Sequence, residues 1–262
     1  MTQPLPESSL RNLGAQFRGM LERADQILFI TGAGISADSG LPTYRGVGGL
    51  YNSQNTDDGI PIEEALSGAM LRQRPEVTWK YLWQIADSAR GKTFNLAHRA
   101  IAELEQYKPR VWVLTQNIDG FHTAAGSRQV VEIHGNMRGL ECLNCGAQIA
   151  GEDLQERATP PRCTECAGVL RPDVVLFGEM LPALALETLQ RELRRGFDLV
   201  VSVGTSSVFP YILEPVYSAA RQGILTVEIN PSRRTAISDV VDLHLPSRAV
   251  EAFEAIGPIT SW

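Results

Sequence analysis

Long hydrophobic runs are missing from this chain. The longest, around residues 27–30 and 199–201, fall far short of the ~20 apolar residues that cross a bilayer. The polar N-terminus, with Pro4 and Pro6, also lacks the apolar stretch of a secretory signal. There is no basic excess: 24 Lys and Arg stand against 30 Asp and Glu, a net charge of −6, with no run of five like charges. That balance argues against general binding to a phosphate backbone, which needs a basic face. Cysteine is scarce, four in 262 residues, and a chain this long forms a core without disulfide staples. Repeats and low-complexity tracts are absent. These features predict a soluble, cytoplasmic protein with one large domain carrying at most a smaller module.

What is present alternates. Largely apolar runs at 26–31, 110–115, 130–134, 174–177, 197–203 and 225–229 read as strands buried on both faces, which points to a parallel α/β sheet. Ser8 or Ser9 is placed to cap a first helix carrying Leu13, Phe17, Met20 and Leu21. Between 61 and 107 only helical patterns occur, at 62–73, 75–90 and 95–107, the last behind Asn95 as a cap. The segment 137–172 holds every cysteine and few large apolar residues, so something other than a core must hold it together. The expected architecture is a Rossmann-like parallel sheet domain (1–47, 110–136, 172–262) with a smaller inserted domain, a helical module (48–109) plus a zinc ribbon (137–171).

The cysteines read Cys142-x2-Cys145 and Cys163-x2-Cys166, two knuckles separated by seventeen residues. Four thiolates at this spacing suit a tetrahedral Zn²⁺ and fill its coordination shell, so the metal is expected to be structural. Gly32-Ala33-Gly34 follows a strand directly, as in loops that let a pyrophosphate approach the backbone, although the last glycine of the usual dinucleotide fingerprint is replaced by Ala37. A tight structural turn is the alternative. Gln116, Asn117 and Asp119 follow the strand 110–115, where a ligand of an open α/β sheet binds, though the same residues also suit a helix cap. His134 closes the strand 130–134, where a neutral imidazole is placed to take a proton from a hydroxyl. His98, His122 and His244 read as structural. Gly204-Thr205-Ser206 and Asn230 end two further strands with small or polar groups suited to phosphate or ribose.

Together, GAGISADSGLPTYRG, TQNIDGFH, EIHGN, the paired CxxC, RPDVVLFGEMLP, GTSSVFP and EINP resemble the sirtuin family of NAD-dependent protein deacylases, in that family's order and over most of the chain. The resemblance implies NAD⁺ as cosubstrate, structural Zn²⁺, acyl-lysine proteins or peptides as substrates, and transfer of the acyl group to ADP-ribose with release of nicotinamide. It implies that Gly32, Ala33 and Gly34 cradle the pyrophosphate, and that Tyr44 and Arg45 lie against the cosubstrate. Gln116, Asn117 and Asp119 would position the reacting ribose and receive the nicotinamide amide, helped by Ile118 and Ser36. Gly204, Thr205, Ser206 and Asn230 would hold the adenosine half, with Ala249 near the adenine. His134 would be the general base, and Asn117 joins it as a catalytic residue. The peptide would lie as a strand between Phe177-Gly178-Glu179 and the loop around Val208, with Val175 and Phe177 walling the acyl-lysine channel.

One departure bears on the acyl group. The branch that removes acidic acyl groups carries a Tyr and an Arg three residues later in a helix that here reads WKYLWQIA. Thr43-Tyr44 with Gly48-Gly49 is more like that branch, but Tyr81 is followed at that spacing by Gln84, and aligned on Trp79 the positions are Leu82 and Ile85, so a buried succinyl carboxylate would lack its cationic partner. A neutral acyl group is therefore expected. Two other readings use the same residues: an ADP-ribosyltransferase or NAD glycohydrolase, and a zinc-ribbon binding protein without catalysis.

Overall fold

The computed structural model describes residues 7–43, 56–151 and 158–259. Its strands in chain order are β1 (Gln26–Thr31), β2 (Arg110–Thr115), β3 (Val130–Glu132), β4 (Gly135–Cys142), β5 (Gln148–Ala150), β6 (Leu170–Val174), β7 (Leu199–Val203), β8 (Leu225–Ile229) and β9 (Leu243–Leu245). The helices are α1 (Glu7–Arg23), α2 (Ala33–Ser36), α3 (Ile62–Ala65), α4 (Gly68–Gln73), α5 (Pro75–Ala89), α6 (Leu96–Tyr107), α7 (Phe121–Ala125), α8 (Ala183–Arg195), α9 (Pro210–Arg221) and α10 (Ala249–Ile256). Ser8 and Ser9 lie within the first turn of α1 rather than capping it.

Six strands form one parallel sheet in the order β3-β2-β1-β7-β8-β9. Alternation along β1 explains why both faces are covered. Ile27 and Phe29 enter one core with Phe17 and Leu21 of α1 and Phe253 of α10, while Leu28 and Ile30 enter another with Leu189 of α8 and Ile212 of α9. The chain moves from β1 to β2 on one side and later to β7 on the other. The carboxyl end of β1 is thus the point where strand order reverses, and open α/β sheets bind ligands in that crevice.

The smaller unit has its own core and its own antiparallel sheet, β5-β4-β6. Ile62, Leu66, Leu71, Trp79 and Leu82 from the helices pack with Leu140, Leu170, Cys142 and Cys163 from the ribbon. Trp79 joins the two parts: it is fully buried and its indole N–H donates to the Leu170 carbonyl at 2.7 Å. The neighbouring Trp83 packs on Trp79 at 5.0 Å and donates to the Ala158 carbonyl at 3.1 Å.

Two expectations differ from what is seen. The helix α6 was expected in the inserted module, yet Ala97, Ala100, Ile101 and Leu104 pack into the large core beside Phe17 and Val113. Its Asn95 cap is present, accepting from the Ala97 amide. The run 174–177 was expected in the parallel sheet. Instead Val174 ends β6, and Leu176 and Phe177 pack with the small core, so the ribbon's share of the chain continues past residue 171. An apolar run of four reads the same in either environment, and only its partners decide.

Candidate active site

The register of the large sheet brings three loops together. Thr31 pairs with Thr115 on one side and Val203 on the other, so Gly32, Gln116 and Gly204 emerge side by side. Gly34 and Gly204 touch back to back: a Cβ on Gly34 would lie 2.5 Å from the Gly204 Cα, and one on Gly204, at φ +60°, would lie 2.5 Å from the Gly34 carbonyl carbon. The Gly34 amide donates to the Gly204 carbonyl at 2.8 Å and the Gly32 amide to Val203 at 3.1 Å. Two of the amides expected to face a pyrophosphate are therefore spent on fixing the loop, and the glycines contribute chiefly by absence of side chain.

Polar side chains line this crevice in a connected set. Gln116 Nε2 donates to Thr205 Oγ1 at 2.7 Å, and Asn230 Nδ2 donates to the Thr205 carbonyl at 2.9 Å. Asn117 Nδ2 donates to the Gly32 carbonyl at 3.1 Å and lies 3.3 Å from Ser36 Oγ, whose hydroxyl donates to Asp119 at 2.7 Å. Burial raises the Asp119 pKa, against the Phe121 amide and Ser36 hydroxyl, which favour its charged form. Ile118 turns toward the small core, and its carbonyl accepts from the Met137 amide at 3.4 Å. Ala249 opens α10 and is buried in the large core, while Ser206 is exposed. Tyr44 and Arg45 lie outside the described residues.

His134 sits where the two units meet. Its Nδ1 is 2.9 Å from the Gln116 carbonyl, its Nε2 is 2.7 Å from the Tyr211 hydroxyl, and its own carbonyl accepts from Val175 at 2.9 Å. Gly135 follows at φ +72°, and a Cβ there would stand 2.0 Å from the Asp173 carbonyl oxygen, so only glycine fits behind the imidazole. Burial lowers the His134 pKa, and the Gln116 carbonyl partly offsets this. The ring is neutral near pH 7.

On the other wall, Phe177 donates its amide to the Leu66 carbonyl at 2.9 Å, and the Gly68 amide donates to the Phe177 carbonyl at 3.1 Å. Glu179 does not face the crevice as a free carboxylate. It receives two hydrogen bonds from Arg171, at 2.9 and 2.8 Å, and one from the Leu176 amide at 3.0 Å, a clamp that fixes the Phe177-Gly178-Glu179 turn. Met180 and Val208 stand exposed at 90% and 63%.

The four cysteines converge as their spacing predicts. The sulfurs all lie within 4.8 Å of one another, with Cys142 and Cys166 at 3.5 Å and Cys145 and Cys163 at 3.8 Å. Tetrahedral Zn–S bonds of ~2.3 Å place sulfurs about 3.8 Å apart, so this set fits a zinc ion.

Tyr211, whose hydroxyl meets His134, carries no motif. His98 and His122, read as structural, are buried behind the crevice: His98 lies 3.4 Å from Ser36 and edge-on to His122 at 4.9 Å, and His122 is 2.9 Å from Thr31 Oγ1. The Asn-x-x-His spacing at 95–98 was the available signal, since His98 completes the capping box of α6.

Burial holds both rings neutral, with His98 lowered from 6.5 to about 4 and His122 well below its usual value. An unfolded chain binds more protons than the fold in that window. Stability is therefore full above about pH 6.5 and falls as pH drops toward 4, by roughly 3 kcal/mol for His98 alone. Urea midpoints at pH 7.5 and 5 measure this. The lower-pH midpoint is expected to fall, and replacing His98 with Asn should flatten the difference.

Comparison with known proteins agrees with the geometry. A deacylase of Pseudomonas aeruginosa, NAD-dependent protein deacylase 2, is 54% identical over 234 residues, covering 88% of this chain and 91% of its own. The NAD-dependent protein deacylase of Aquifex aeolicus is 38% identical over 224 residues, covering 85% and 90%. A solved Sir2 complex with a p53 peptide and NAD⁺ superposes with a TM-score of 0.80 at 30% identity, covering 92% of this chain and 95% of that one. Another Sir2 enzyme structure gives 0.82 at 34%, covering 96% and 97%. The Sir2 family pattern itself matches residues 32–210, from the glycine loop to the start of α9, and with that span the chain belongs to the Sir2 family.

Proposed function

We propose that the protein is an NAD-dependent protein lysine deacylase that moves a neutral acyl group from lysine to ADP-ribose and releases nicotinamide. The observation that carries this reading is His134, half-buried and neutral beyond β3 beside the loop that follows β2, with one nitrogen fixed by the Gln116 carbonyl and the other directed away from it. The relatives named as protein deacylases, and the neighbour solved with peptide and NAD⁺, support it.

Each residue set then has a task. NAD⁺ supplies a neutral leaving group on a ribose carbon that an amide oxygen can attack. Gly32, Gly34 and Gly204 bring backbone close to the dinucleotide, while Gln116, Asn117 and Asp119 orient the ribose and the carboxamide. Thr205 and Asn230 address the adenosine half, beside exposed Ser206 and the Ala33–Ser36 turn. His134 accepts a proton from a ribose hydroxyl so that the oxygen can take the acyl carbon. The clamped turn at Phe177-Gly178-Glu179 and the Ser207-Val208-Phe209 loop offer main-chain groups to an extended peptide, which makes recognition tolerant of sequence. Val175 and Phe177 border the lysine channel. Zn²⁺ on the four cysteines holds the small unit and takes no part in the reaction. Among the described residues no helix is long and apolar enough to cross a membrane, and four free thiols fit a reducing cytoplasm.

Acyl preference follows from α5. Leu82 is 1% exposed and Ile85 packs with the small core, while the Tyr81 hydroxyl is engaged with Asp58, itself paired with Lys80 at 2.8 Å. Leu82 and Ile85 offer a carboxylate-tipped acyl group no cation, and the one lysine of this helix, Lys80, is already paired with Asp58. Matched acetyl-, long-acyl- and succinyl-lysine peptides, followed by mass spectrometry, should give an acetyl kcat/KM at least about tenfold above succinyl, the size of one unmade charged hydrogen bond. Succinyl turnover faster than acetyl would overturn the preference. Nicotinamide release without peptide deacylation would overturn the whole reading.

A further inference from the structure

The geometry points to Tyr211 as a positioning residue for His134: in the free protein its hydroxyl occupies the proton-accepting nitrogen of the imidazole and yields that nitrogen when peptide engages the adjoining loop. The inference rests on His134 being the base.

A carbonyl oxygen only accepts, so the Gln116 carbonyl at 2.9 Å places the ring proton on Nδ1. Nε2 is left with a lone pair, and the Tyr211 hydroxyl at 2.7 Å donates to it. Burial raises the Tyr211 pKa, which keeps it a neutral donor. A ribose hydroxyl that gives its proton to His134 must approach the same nitrogen. One in-plane lone pair does not serve two donors, so Tyr211 must either relay the proton or leave.

The surroundings favour leaving. Tyr211 is the second residue of α9, and Phe209, two residues before it, stacks on its ring at 5.5 Å with an interplanar angle of 11°. Phe209 also meets the His134 ring edge-on at 6.1 Å. Phe209 is 38% exposed, in the loop assigned to the peptide strand, and Ser207 in that loop sits at φ +54°, a left-handed conformation costly for a serine. A peptide strand laid along 207–209 acts directly on the ring stacked over Tyr211.

Among the described residues no charged side chain competes for this role. The lowering of the His134 pKa comes from burial, against the Gln116 carbonyl. Asp119 is engaged by Ser36 and the Phe121 amide, Glu132 by Asn136 and Arg138, and Asp173 meets Gly135 through its backbone.

Because the hydroxyl can turn to accept from the protonated ring, and that charge-assisted bond is stronger than the one it donates to the neutral ring, removing it makes His134 less basic. In Tyr211→Phe, which keeps the stacked ring, ¹⁵N titration of the free, zinc-loaded protein should show the His134 pKa falling by about half to one unit. The wild-type spectrum should show the Nδ1–H tautomer. The acidic limb of kcat/KM, which reports the free protein, should move by the same amount, while the limb of kcat stays in place and kcat changes by less than about threefold. An unmoved titration would overturn the inference. So would a fall in kcat of about a hundredfold or more with a displaced kcat limb, the mark of a relay. If neither protein removes acyl groups, the functional reading fails, and the titration still decides whether Tyr211 holds the nitrogen.

Discussion

Replacing His134 with Ala should lower kcat for an acetyl-lysine peptide by about 10²–10⁴-fold, the usual worth of a positioned general base. The substitution leaves the glycine loops, the Gln116–Thr205 contact and the cysteine cluster intact, so NAD⁺ affinity measured by calorimetry should change by less than about threefold. The wild-type pH profile supplies a second check with a definite sign. Burial pulls the His134 pKa below the ordinary 6.5. The base is competent above its pKa, so activity should persist below pH 6.5 before it falls. An acidic limb centred above pH 7, or a His134→Ala protein that turns over at the wild-type rate, would remove His134 from this role.

Removing the metal should have an effect of comparable size on the fold. Cys142 and Cys163 are 2% and 3% exposed and belong to the same core as Trp79, Leu82, Leu140 and Leu170. Structural zinc in small modules contributes about 10–16 kcal/mol of apparent binding free energy, as large as the net stability of a whole domain. Chelation, or Cys142→Ala, should therefore disorder the small unit while the parallel sheet survives. Near-ultraviolet circular dichroism of Trp79 and Trp83 should collapse, with far less loss of far-ultraviolet signal, and deacylation should stop because the Phe177 wall hangs on Leu66 and Gly68 of that unit. Metal analysis showing no zinc in a protein of unchanged melting temperature and activity would refute the assignment.

Much of this site was legible in the sequence because its determinants are local. Thiolate ligands with two residues between them, glycines after an apolar run and polar residues at a strand's end are patterns imposed by chemistry within a few residues. The same reasoning placed β1, β2 and β8 at their observed bounds, since strands buried on both faces are continuous apolar runs. What it missed depends on partners distant in the chain. The helix α6 has an amphipathic pattern that fits either core, and its assignment to the large sheet depends on Phe17 and Val113. The run at 174–177 is pulled from the parallel sheet by hydrogen bonds to His134 and Leu66. Tyr211 reaches His134 across 77 positions, and no periodicity encodes that meeting.

The back-to-back contact of Gly34 and Gly204 bears on how such a protein can change over generations. A methyl group on either would meet backbone rather than a side chain that a second substitution might trim. No compensating replacement elsewhere relieves the overlap unless a whole loop moves. Steric overlap thus closes both positions to stepwise exploration. Variation in cosubstrate handling is therefore channelled into the neighbouring positions, and a laboratory library that diversifies either loop should return glycine at both.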